Sequence, residues 1–80
     1  MNVVGHAVNV NADRGFFFVR VENEGEQSTT DYFVHRSDLR GVRVTSVNEG
    51  DAFEFEPEQT DRGPRAVNVW PVIVEEAAEK

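Results

Sequence analysis

Three consecutive phenylalanines, Phe16-Phe17-Phe18, cannot all be buried in one extended segment. Side chains of a strand alternate with a period of two, so Phe16, Phe18 and Arg20 share one face while Phe17, Val19 and Val21 take the other. A second segment divides the same way, with Tyr32 and Val34 on one side and Phe33 and His35 on the other. If the valine-bearing faces are core, Phe16, Phe18, Phe33 and His35 form an outward cluster of flat rings on neighbouring strands. Arg14, Arg20 and Arg36 stand beside them. Bare rings offer π-faces on which unpaired bases stack, and guanidinium groups at the rim suit phosphates. The alternative reading of the same residues is a core seen on the wrong face, with Phe16 and Phe18 buried.

Other chemistries find less support. His6 and His35 are the only histidines and cysteine is absent, so there is no ligand set at zinc spacing. The acidic stretches lack the alternation and turn glycine of a calcium loop. His35-Arg36-Ser37-Asp38 holds the groups of a hydrolytic triad, but adjacency in sequence does not set a base on a nucleophile, and Ser37 is expected to cap a short turn. Six isolated glycines make no phosphate loop. No catalysis, metal or cofactor is expected.

The elements that must carry the rings are strands. Fourteen valines against one leucine and one isoleucine favour pleated structure, because branching at Cβ restricts rotamers in a helix. Five runs lie between turn signals: Val3 to Asn11, Gly15 to Val21, Asp31 to His35, Asp51 to Pro57 and Arg65 to Val74. Phe53 and Phe55 alternate with Glu54 and Glu56, so these two rings are core by default. Ser37-Asp38-Leu39 is read as a single helical turn in the link between the third and fourth runs. Eighty residues hold one small core, and a sheet of five short strands covers its edges most economically by curling into a barrel. Residues 1–74 are read as that domain and 75–80 as an acidic tail.

A formal net charge of −7 argues against binding by bulk electrostatics. Its distribution changes that picture, because acids gather in residues 22–26, 49–61 and 75–80 while all seven arginines lie outside these blocks. With neither a basic leader nor an apolar run of membrane-spanning length, the chain reads as soluble and cytoplasmic.

At these residues the sequence resembles the cold-shock domain family. Asn11-Ala12-Asp13-Arg14-Gly15-Phe16-Phe17-Phe18-Val19 is similar to that family's first ribonucleoprotein motif and Asp31-Tyr32-Phe33-Val34-His35 to its second. Glu49-Gly50-Asp51-Ala52-Phe53-Glu54-Phe55 and Gly63-Pro64-Arg65-Ala66-Val67-Asn68-Val69 follow in the family's order, so the likeness covers roughly residues 5 to 70. It implies an all-β, five-stranded antiparallel oligonucleotide-binding barrel that holds single-stranded RNA or DNA, commonly as an RNA chaperone or regulator of gene expression. By the same resemblance Phe16, Phe18 and Phe33 are stacking rings and His35 a stacking imidazole. Arg14 replaces the usual lysine beside the backbone, Asp31 contacts a base edge, and Arg62 and Arg65 flank the strand from the last loop.

The departures imply weaker binding. Val8-Asn9-Val10-Asn11 stands where the family has K-W-F-N, so a tryptophan platform and a lysine are missing. Arg36 takes the place of an aromatic after the histidine and can stack by its guanidinium plane. Val44 replaces a further phenylalanine. Phe17 replaces a glycine and, by parity, faces the core near Ala7 and Val10. The competing expectation is a protein-interaction module that kept the barrel and lost most nucleic-acid binding. Trp70-Pro71-Val72-Ile73-Val74 extends past the resemblance, either folding back onto the barrel or joining two copies in a weak dimer.

Overall fold

A computed structural model describes residues 2–22 and 28–72. Five strands follow in chain order, β1 (Val3–Asn11), β2 (Phe16–Glu22), β3 (Thr29–His35), β4 (Ala52–Thr60) and β5 (Gly63–Pro71). Short 3-10 turns at Arg36–Asp38 and Val44–Ser46 occupy the link between β3 and β4. The strands close into a barrel in the order β1-β2-β3-β5-β4, with β4 returning to β1. Among the described residues no helix is long and apolar enough to cross a membrane.

The barrel is mixed, which corrects the expectation of a wholly antiparallel one. Strands β3 and β5 run parallel, with Phe33 opposite Arg65, and every other neighbouring pair is antiparallel. The reason is one of parity: directions cannot alternate all the way around a closed ring of five strands, so at least one adjacent pair must point the same way. The link supplies that crossover, and Leu39 extends the parallel contact by bridging to Val69.

The interior is built by alternation. Phe17, Val19, Val34, Phe53, Phe55 and Val69 are fully buried, joined by Ala7 and Ala66, while Leu39 and Val47 of the link complete the cluster. Phe17 packs on Phe53 with ring centroids 5.3 Å apart, and Tyr32 on Phe55 at 5.1 Å. Burying each such side chain contributes about 1.5–3 kcal/mol. The residue that replaces a glycine of the family pattern thus sits where parity put it, in one cluster with Ala7 and with Val10 packed against it.

Two interruptions of the ladder share one sequence signature. Between the pairs Val8↔Phe18 and Asn11↔Phe16, β1 carries an extra residue, and between Glu54↔Trp70 and Glu56↔Val67, β5 carries another. Asn9 and Asn68 adopt the left-handed conformation there, with φ of 52° and 50°. Each is the centre of a Val-Asn-Val triplet. Asparagine tolerates positive φ better than other residues with a Cβ, and the bulge it permits bends a short strand around the barrel wall.

Several boundaries move. The fourth strand continues to Thr60 and the fifth begins at Gly63, so the expected loop from Glu58 to Pro64 contracts to a hairpin turn at Asp61-Arg62. Thr60 secures it by donating its hydroxyl to the Gly63 carbonyl at 2.9 Å and accepting the Arg62 N–H at 3.1 Å. The expected helical turn lies one residue earlier, at Arg36–Asp38, and it is His35 rather than Ser37 that caps it: the imidazole Nδ1 accepts the Ser37 N–H at 3.2 Å. The extension past the resemblance pairs with β4 as far as Val72, whose N–H reaches the Ala52 carbonyl at 3.0 Å. Ile73 and Val74 lie outside the described residues, as does the acidic tail.

Candidate nucleic-acid interface

Adjacent strands in register bring the candidate rings together. Phe16 lies opposite His35 and Phe18 opposite Phe33 across the β2–β3 ladder, all with side chains on the outer wall and all partly exposed. Ring centroids are 5.6 Å apart for Phe16–Phe33, 5.6 Å for Phe18–Phe33 and 6.2 Å for Phe16–Phe18. These spacings are those of mutually supporting aromatic pairs. The interplanar angles of 36°, 69° and 85° make a faceted patch rather than one flat plate. The wrong-face alternative fails: burial falls on Phe17, Phe53 and Phe55, and Phe16 and Phe18 keep solvent contact.

His35 is oriented rather than loose. Its Nδ1 faces Ser37, with the hydroxyl at 2.9 Å and the backbone N–H at 3.2 Å, so the 3-10 turn fixes the ring plane. With Nδ1 accepting, the neutral ring carries its hydrogen on Nε2.

The charged residues divide into two groups. Arg20 forks onto Asp31, Nε to Oδ1 at 2.8 Å and a terminal nitrogen to Oδ2 at 3.0 Å. That hydrogen bond is the main reason the Asp31 carboxyl titrates below its ordinary range; partial burial opposes it, and the charges of Arg20 and His6 add to it. Both Asp31 oxygens are therefore engaged by the Arg20 guanidinium, so neither stands free as the expected base-edge acceptor. Arg65 is on strand β5 rather than in the last loop, and its terminal nitrogen reaches Asp38 at 2.7 Å. It ties β5 to the turn after His35 and holds that turn against the wall.

Arg14, Arg36 and Arg62 are exposed and form no ion pair among the described residues. Arg14 occupies the β1–β2 turn at the Phe16 end, where Asn11 Oδ1 accepts its backbone N–H at 3.2 Å. Arg36 follows His35, and its side chain crosses Gly15, where a Cβ would come within 2.9 Å of the Arg36 Cδ. Gly15 also has a φ of 77°, so the turn and the arginine's seat both depend on it. Arg62 lies at the tip of the β4–β5 hairpin, and an open groove runs between that hairpin and Phe18, Asp31 and Phe33.

Sequence reasoning missed three participants. Val8 is the strand partner of Phe18 and widens the apolar patch toward β1, Asp38 anchors Arg65, and Thr60 shapes the groove-side hairpin. The Arg20–Asp31 pair carried a readable signal, since alternation places both on the face of Phe18 and Phe33.

Barrel, ring cluster and motif order agree with a cold-shock domain. A family model described as the 'Cold-shock' DNA-binding domain matches residues 4–72, and the chain belongs to that family of nucleic-acid-binding domains. Among particular proteins, it is 46% identical over 59 residues to cold shock protein CspA of Staphylococcus aureus (strain USA300), a match spanning 74% of this chain and 82% of that protein. Cold shock proteins CspA of Staphylococcus saprophyticus and Staphylococcus epidermidis are 44% identical over 59 residues, with the same coverage.

Proposed function

We propose that this protein binds unpaired RNA or DNA by stacking bases on Phe16, Phe18, Phe33 and His35, with Arg14, Arg36 and Arg62 meeting phosphates. The observation that carries the reading is the triangle of partly exposed rings on β2 and β3, which no part of the core requires. A protein that sequesters bases in this way holds strands open, so its role is that of an RNA chaperone or regulator of gene expression in the cytoplasm. Asn9, Arg36 and Val44 stand where the family pattern has rings, with only Arg36 keeping a flat guanidinium surface, which makes the binding weaker than a full set would give; each stacked base is worth about 1–3 kcal/mol.

The test is anisotropy with labelled oligo-dT, a single-stranded RNA of equal length, and a blunt duplex. Retention of both single strands with neglect of the duplex is expected, together with opening of a fluorophore-quencher RNA hairpin. Equal binding to the duplex would place recognition on charge instead of stacking. No binding to any of the three would leave the barrel as a protein-interaction module.

A further inference from the structure

We propose that Trp70, with Arg40 and Arg43, forms a second stacking station that receives the continuation of a strand leaving the phenylalanine face. This rests on the reading above. Trp70 is 53% exposed on the outer wall, although it belongs to a paired strand opposite Glu54. Its ring has a prepared seat: a Cβ on Gly41 would come within 3.2 Å of Cε3 and 3.4 Å of Cζ3, and Gly41 has a φ of 77°. The link therefore passes close against one part of the indole and leaves the rest to solvent.

Charge and continuity select the occupant. Arg40 and Arg43 bracket Gly41, both are exposed, and neither forms an ion pair among the described residues. Arg40 is held in place, its N–H bonded to the Val69 carbonyl at 2.7 Å and its guanidinium to the Ser37 carbonyl at 2.9 Å. An exposed indole packed against a link segment that carries two exposed arginines offers the same chemistry as the first face: a ring for a base and cations on the neighbouring chain for phosphates. The two faces are connected. Phe33 lies beside Arg65 on β5, and Trp70 is five residues further along that strand, at most about 17 Å at the rise of extended chain and less with the bulge at Asn68. Arg36 and Arg40 lie along the link that runs between them. Glu54 is the one acid in register with Trp70, and its carboxylate accepts the Asn2 amide at 3.0 Å.

Trp70 is the chain's sole tryptophan, so its emission reports on this station alone. The protein is titrated with oligo-dT of about four and about twelve nucleotides, within the span of site sizes for such barrels, while anisotropy of labelled strands records binding separately. The longer strand is expected to quench Trp70 at saturation and the shorter, seated on the phenylalanine face, to leave it unchanged. Trp70→Ala is expected to weaken binding of the longer strand about five- to a hundredfold, with much of it restored in Trp70→Phe. Binding of the longer strand with neither quenching nor sensitivity to Trp70→Ala would overturn the proposal, as would equal quenching by both lengths. Emission that shifts with protein concentration alone, alongside a dimer abolished by Trp70→Ala, would assign the indole to self-association instead. If Phe33→Ala is also without effect because no strand binds at all, the underlying functional reading has failed, and the second station with it.

Discussion

At the scale of single residues, neighbouring side chains of one strand do opposite work because their directions alternate. Phe17 is fully buried between two rings that are not. Phe17→Ala should therefore cost about 3–5 kcal/mol in urea denaturation, the range for truncating a buried ring; a loss below 1 kcal/mol would mean the core does not use it. Asp31 makes a prediction in pH. Its carboxyl is lowered chiefly by the Arg20 hydrogen bond, so the native state holds the proton less tightly than the unfolded chain. The resulting stabilisation is complete above the unfolded carboxyl pKa of about 3.9 and disappears as pH falls through the lower native value. In thermal melts, wild type should exceed Asp31→Asn at neutral pH, and the gap should close in acid. A gap that persists unchanged below pH ~2 would contradict the assignment.

At the scale of elements, the two Val-Asn-Val triplets mark where strands bend. Replacing Asn9 or Asn68 by valine puts a branched residue into left-handed backbone and should destabilise the fold by about 1–2 kcal/mol, whereas glycine at either position should be nearly neutral. Chemical denaturation of the four variants checks this, and valine as well tolerated as glycine would refute it. These bulges also show where reading the sequence stopped. Alternation placed Phe16, Phe18 and Phe33 outward and Phe17, Phe53 and Phe55 inward, because burial in a strand is decided locally, residue by residue. The parallel β3–β5 seam and the docking of Arg65 on Asp38 depend on register between segments distant in the chain, which local pattern does not encode. The His35 cap was hidden for another reason: Ser37 is the commoner capping residue, and only the ring's position after an extended strand gives Nδ1 access to the Ser37 N–H.

At the scale of the whole molecule, a net charge of −7 coexists with five exposed arginines that form no ion pair among the described residues. Three of them, Arg14, Arg36 and Arg62, border the rings, so a short strand should bind with a log–log salt slope of about −2, at roughly −0.7 per phosphate neutralised. Engagement of Arg40 and Arg43 by a longer strand should steepen it to about −3.5. A slope near −6 would show that charge, spread well beyond these residues, dominates. The balance between stacking and charge is decided most directly by anisotropy of a labelled oligo-dT and an RNA of equal length against wild type, Phe16→Ala and Phe33→Ala, at low and high salt. Either truncation should reduce affinity about five- to a hundredfold at both salt concentrations, since a lost ring is a lost stacking surface whatever the ionic strength. Unchanged affinity in both variants, with wild type still binding, would contradict the account.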